Sequence, residues 1–164
     1  MRSDSLLGTL RDFHRDKLAL RQRHVAVARQ VSNYEANNTY QYVINREDVH
    51  LQWLEAAIAE LEGTPEDVPE PSLPGLTRKE SFRPLVTEDA AGARGFVETW
   101  RPRLEDVTHA RHRNLMNVII GETLEQKRFF DQIAAGNSDV LGRRANGAGS
   151  PGTGDGVLGV RWIE

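Results

Sequence analysis

Residues 43–58 read VINREDVHLQWLEAAI, and residues 118–133 read VIIGETLEQKRFFDQI. An offset of 75 positions aligns Val43 with Val118, Glu47 with Glu122, Leu54 with Phe129 and Ile58 with Ile133, and sets Glu125 against His50. Spacings of three and four residues place Val43, Glu47, His50, Leu54 and Ile58 on one stripe of a helix. The same spacings place Val118, Glu122, Glu125, Phe129 and Ile133 on another. The pattern predicts two amphipathic helices that each carry carboxylates in the middle of the face turned to a core. An ionised carboxylate is costly there unless something cationic meets it.

Outward from these stretches the chain reads as helical. No proline occurs between Ser5 and Glu62, and the composition is rich in Leu, Ala, Arg, Gln and Glu. Asn37, Asn38 and Thr39 supply poor propensity and capping groups, so the break is expected there, giving helices of about residues 4–36 and 39–62, with Gly63 as the C-cap. Residues 63–86 hold Pro65, Pro69, Pro71, Pro74 and Pro84, a composition that excludes a helix or a central strand and predicts a long crossover. Thr87, Glu88 and Asp89 open a third helix of about residues 87–100. Pro102 sits in the first turn of a fourth, about residues 102–135, which Gly136 and Asn137 stop. The expected fold is all-α: an up-down four-helix bundle of two helical pairs joined by a Pro-rich crossover, within residues 1–138. Residues 139–164 then form a Gly-rich linker and an apolar C-terminal peptide.

A chain of 164 residues suits one domain with a tail. Charged residues make up 27% and the hydrophobic set 38%, which fits helices with one apolar stripe and long solvated faces. The net charge of -3 gives no general footprint for nucleic acid. The basic clusters Arg21, Arg23, His24, Arg29 and Arg111, His112, Arg113 read as solvated faces, because acidic residues interleave with them. No signal-peptide core and no run of about 20 apolar residues occurs, so the expected location is cytoplasmic, with no membrane partner. Cysteine is absent, which excludes disulfides, zinc-thiolate sites and cysteine nucleophiles.

A metal in this chain would therefore use oxygen and imidazole ligands. Glu47 and His50, at i and i+3, lie one turn apart and suit iron, manganese or zinc. Glu122 and Glu125 copy the geometry. Two other readings fit the same residues. The carboxylates and histidine can form a metal-free polar core with Arg46, Arg113 or Arg128 as partners, or the helical phase differs and the carboxylates face water. Tyr34, Tyr40, Tyr42 and Trp53 read as core filler with polar tips.

The segment Glu47-Asp48-Val49-His50 carries the Glu-x-x-His signature of the ferritin-like superfamily, and the chain resembles that superfamily over about residues 5–136. Glu122-Thr123-Leu124-Glu125 matches the signature in its first position only. The resemblance implies iron or manganese held by Glu47, His50, Glu122 and Glu125, with Glu35 and His112 as further candidates. It also implies a ferroxidase or peroxidase type of oxidoreductase, or iron storage, in a homo-oligomer. The alternative is a metal-free helical-bundle binding or scaffold protein with a C-terminal docking peptide.

Residues 142–156 contain six glycines and predict a flexible linker, followed by Val157, Leu158, Val160, Trp162 and Ile163. Asp155, Gly156, Leu158, Gly159, Val160 and Ile163 resemble in outline the peptides by which ferritin-like cargo docks inside encapsulin shells. That resemblance implies a protein shell or another partner, and a protein compartment as the location. The alternative is that the peptide folds back on its own bundle or on a symmetry mate.

Overall fold

The computed structural model describes residues 3–76 and 82–142. Among them are four α-helices and no strand: α1 Ser3–Ala28, α2 Tyr34–Glu60, α3 Arg83–Arg103 and α4 Ala110–Ala134. No described helix is long and apolar enough to cross a membrane.

Side-chain pairs fix the helix directions. Arg21 meets Asp48 and His14 meets Glu55, so α1 and α2 are antiparallel. Arg23 meets Asp89 and Trp100 Nε1 donates to Asp16, so α1 and α3 are antiparallel too. Arg46 meets Glu122 and Arg111 meets Glu60, which sets α4 against α2. Thus α1 and α4 run one way and α2 and α3 the other, and the α2–α3 connection must travel the length of the bundle. It does so along α1. Glu66 lies 4.0 Å from Arg11 and 3.9 Å from Arg15. Further along, Gln22 Nε2 donates to Val68 O at 2.7 Å, Arg29 pairs with Glu70 at 3.1 Å, and Leu76 N donates to Gln30 Oε1 at 3.2 Å. A proline-rich segment cannot bond to itself in a regular ladder, and α1 supplies the partners instead.

The helix boundaries differ from the sequence expectation in three places. The first break falls at residues 29–33, not at Asn37 to Thr39. Asn33 caps α2, its side chain accepting from Ala36 N at 2.9 Å. Asn37, inside the first turn of α2, reaches back and donates to Ala28 O and Val31 O, tying the end of α1 and the turn after it to α2. α3 begins at Arg83 with Pro84 in its first turn, and it runs through Pro102 to Arg103. Pro102 therefore ends α3 instead of opening α4. A 3-10 turn over Leu104–Asp106 and residues 107–109 follow, with Leu104 and Val107 buried, so the core draws the chain through this corner.

Both long hairpin helices end in the same capping pattern. At α4, Asn137 N donates to Gln132 O and Gly136 N to Ile133 O, with Gly136 at φ 89°. At α2, Gly63 N donates to Ile58 O and Glu62 N to Ala59 O, but here Glu62 holds the left-handed position, at φ 59°. A side chain at Gly63 would require the Leu7 side chain to shift. A Cβ at that position would stand 2.4 Å from Leu7 Cδ1.

The core is two apolar clusters. One packs Leu10, Phe13, Leu54, Ile58, Phe96, Trp100, Met116 and Ile119 near the α1 N-terminus. The other packs Val27, Tyr40, Val43, Val86, Ala90, Phe130 and Ile133 near its C-terminus. Between them lies a layer of buried polar side chains: Lys17, His24, Glu47, His50, Asp89, Thr123 and Gln126.

Candidate functional site

The polar layer draws on all four helices. On α1, residues 6, 10, 13, 17, 20, 24 and 27 follow the three-four spacing of a buried stripe, and the stripe is interrupted by Lys17 and His24. Both are fully buried. Lys17 Nζ lies 3.1 Å from Glu47 Oε2, and it donates to Thr123 Oγ1 at 2.9 Å and to Gln126 Oε1 at 3.3 Å. An ammonium has three N–H donors; two hydrogen bonds to neutral acceptors and the charge of Glu47 surround it here. The Thr123 hydroxyl in turn donates to Ile119 O at 2.7 Å, which fixes its lone pairs toward the lysine.

The other oxygen of Glu47 lies 2.7 Å from His24 Nδ1. His24 Nε2 is 4.0 Å from Asp89 Oδ1, and Asp89 accepts from Arg23 Nε at 2.8 Å and from the Tyr40 hydroxyl. Polar contacts therefore run across the bundle from Lys17 through Glu47 to His24, whose Nε2 stands near Asp89 without a hydrogen bond, and Asp89 itself is held by Arg23 and Tyr40. Burial pushes the Glu47 carboxyl up, but His24 and Lys17 together outweigh it and hold the group below the usual carboxylate range. Burial pulls the Lys17 ammonium down, against the attraction of Glu47. The Tyr40 phenol is pushed up by burial and by the charge of Asp89.

The residues expected to share a metal do not meet at one point. The stripe Val43, Glu47, His50, Leu54 and Ile58 faces inward as a whole. Its counterpart on α4 does not. Val118 is 50% exposed, Glu122 lies on the flank, and the exposed Glu125 pairs with Arg128 at 2.9 Å. Of the expected set only Ile133 is buried; the rest of the inward face is Met116, Ile119, Thr123, Gln126 and Phe130, with Ile119, Thr123, Gln126 and Phe130 each one residue on from an expected position. A shift of one residue is about 100° of rotation, so the 75-residue sequence repeat is not a repeat of burial. Arg46 grips both oxygens of Glu122 at 2.9 Å, and His50 Nε2 stands 3.2 Å from Oε1 of the same carboxylate. Burial pushes the Glu122 carboxyl up, but His50 and Arg46 bring it down to about 2.

The two weaker metal candidates lie further off. Glu35 is in the first turn of α2, about 18 Å along the helix from Glu47, and accepts from Asp139 N at 3.2 Å. His112 is in the first turn of α4, about 15 Å from Glu122, with its ring 4.4 Å from that of His109. Among the described residues, no group of three or more His, Cys, Asp or Glu side chains is placed to hold a metal ion. Glu47 Oε2 faces the Lys17 ammonium and Oε1 faces His24 Nδ1.

Arg46 and Arg128, two of the arginines available to a metal-free core, do take up the α4 carboxylates, whereas Arg113 donates to Val107 O at 3.0 Å. The basic cluster on α1 is not a free solvated face. Arg21, Arg23 and Arg29 are each paired with carboxylates, and His24 is buried. Of the aromatics beside the first stripe, Tyr40 is buried, Tyr34 is exposed, Tyr42 packs on Phe129 and Trp53 packs near His50.

Next to Glu122 the seam between α2 and α4 opens into a groove of about 450 Å³, lined by Trp53, Ala56, Ala57, Leu115 and Val118, with Glu60, Arg111 and His112 at its end. The expected docking residues Val157, Leu158, Val160, Trp162 and Ile163 lie outside the described residues. No family model, no curated protein and no solved structure matches this chain.

Proposed function

We propose that this chain is a helical-bundle binding or scaffold protein that resembles ferritin-like bundles in its helix pairing but works without a metal. Its core carboxylates are structural, and the C-terminal peptide is its docking element. The observation that carries this reading is Lys17, whose ammonium sits against the buried Glu47 with Thr123 and Gln126 as its other partners. An internal cation there answers the same electrostatic demand that a metal ion answers in a di-iron bundle, since a buried carboxylate must be met by positive charge. The paired Arg46 and His50 do the same for Glu122.

Titration of the full chain with ferrous iron and with manganese tests the reading. Binding no stronger than that of a Glu47→Ala variant, with no oxo-bridge absorbance on exposure to air, is the expected result. Saturable binding that disappears in both Glu47→Ala and Glu122→Ala establishes instead a metal-dependent protein of the ferroxidase, peroxidase or iron-storage kind.

A further inference from the structure

The groove between α2 and α4 is an apolar surface that the bundle itself leaves open. Trp53 is 38% and Val118 50% exposed along it, while Leu115 and Ala57 form its floor. Its volume of about 450 Å³ is room for several side chains, far more than a bridging water needs. We propose that the chain's own C-terminal segment, Val157 to Ile163, docks in this groove. The proposal takes over the docking peptide from the reading above and is independent of whether the bundle centre is metal-free.

Three observations point to that occupant. The first is where the described chain ends. Asp139, Val140 and Leu141 pack beside Tyr34, Asn38 and Thr39, so the backbone leaves α4 over the start of α2, at the head of the same seam. From Thr39 to Ala56 is about 26 Å along α2, at 1.5 Å per residue. Residues 143–156 span up to about 46 Å when fully extended, so the reach is available within one chain.

The second is chemical fit. Val157, Leu158, Val160, Trp162 and Ile163 supply apolar side chains for an apolar trough, and Trp162 adds one N–H donor that needs a partner when buried. His112 lines the groove, is 3% exposed, and its Nδ1 has no hydrogen-bond partner among the described residues. Burial and the neighbouring His109 and Arg111 hold its ring below the usual histidine range, which favours the neutral imidazole. The third is charge. Glu60 and Arg111 pair at the groove's end, and Arg161 and Glu164 of the peptide offer the complementary signs.

Because the chain contains no cysteine, introduced pairs give an unambiguous test. In the full chain, Ala56→Cys with Gly159→Cys joins the groove to the peptide. Glu98→Cys with Gly159→Cys is the control, on the exposed side of α3. The expected result is an intrachain disulfide formed under mild oxidation roughly tenfold faster than in the control, independent of protein concentration, and slowed to the control rate by Val118→Asp. Equal rates in the two pairs overturn the proposal. Cross-linked dimers in place of the intrachain bond also overturn it, and assign the groove to a second copy of the chain. The metal titration reads the bundle centre and this experiment reads the seam, so either result stands without the other.

Discussion

At the scale of single residues, the centre of this molecule turns on one lysine. A buried ammonium and a buried carboxylate each lose several kcal/mol of hydration, and only close pairing with satisfied hydrogen bonds offsets that loss. Lys17 and Glu47 are closely paired, Lys17 is also hydrogen-bonded to Thr123 and Gln126, and the other oxygen of Glu47 lies against His24. Lys17→Met leaves the buried Glu47 carboxylate with His24 as its one remaining close partner, so it should destabilise the fold by about 3 kcal/mol in urea denaturation. Lys17→Met combined with Glu47→Leu should recover at least half of that loss, because an apolar pair of similar volume carries no uncompensated charge. Additive losses in the double variant would show that the two side chains are not coupled. Glu122 gives a second prediction. Its folded-state pKa of about 2 lies below the unfolded value near 4.5, so the folded protein binds fewer protons and is favoured as pH rises through that window. Stability should fall as pH drops from about 4.5 toward 2, and Glu122→Gln should flatten that part of the profile in thermal melts. The inward carboxylate and histidine of α2 were legible from spacing alone. Their partners on α1 were legible in principle, since Lys17 and His24 stand on positions 17 and 24 of an unbroken three-four stripe. A lysine is so seldom buried that its place on the stripe reads as solvent-facing, and Asp89, Thr123 and Gln126 carry no pattern that marks them as its neighbours.

At the scale of the helix and its ends, four helices and a Pro-rich connection follow from the distribution of proline, glycine and apolar periodicity, whereas the boundaries depend on tertiary contacts. Asn37 has the chemistry of a cap and does cap, but it serves the end of α1 from inside α2, a role that sequence order hides. Pro102 can open a helix or sit in its last turn, and the burial of Trp100 and Leu104 on either side decides for the last turn. The phase of α4 was open to error because Val118, Glu122 and Phe129 alternate with Ile119, Thr123 and Phe130, so two adjacent stripes carry similar residues. The end of α2 offers a measurable consequence of this competition. Glu62 occupies the left-handed position that glycine takes at the end of α4, and Gly63 follows it close to the Leu7 side chain. A non-glycine residue in that conformation costs about 1 kcal/mol, so Glu62→Gly should raise stability by about that amount in chemical denaturation. Gly136→Ala should lower it by about 1 kcal/mol for the same reason.

At the scale of the whole molecule, the polar layer divides what would otherwise be one continuous bundle core into two apolar clusters. The layer is joined across every helix, by Lys17, His24, Glu47, Thr123 and Gln126 on α1, α2 and α4 and by Arg23 and Tyr40 to Asp89 on α3, so it couples the helices to one another while separating the apolar groups above and below it. Changes confined to opposite clusters should therefore act independently. Ile58 belongs to the cluster near the α1 N-terminus and Ile133 to the other. Truncation of either to valine removes one buried methylene and should cost about 0.5–1.5 kcal/mol. The two sites share no packing partner, and distant sites add within about 0.5 kcal/mol. Ile58→Val combined with Ile133→Val should therefore show the sum of the single losses in urea denaturation, with an unchanged m-value. The contrast with Lys17 and Glu47, whose double variant is expected to fall well short of additivity, is the signature of a core in which the polar layer and not the apolar packing carries the coupling. An interaction above about 1 kcal/mol between the two isoleucine sites would mean instead that strain passes freely through the layer.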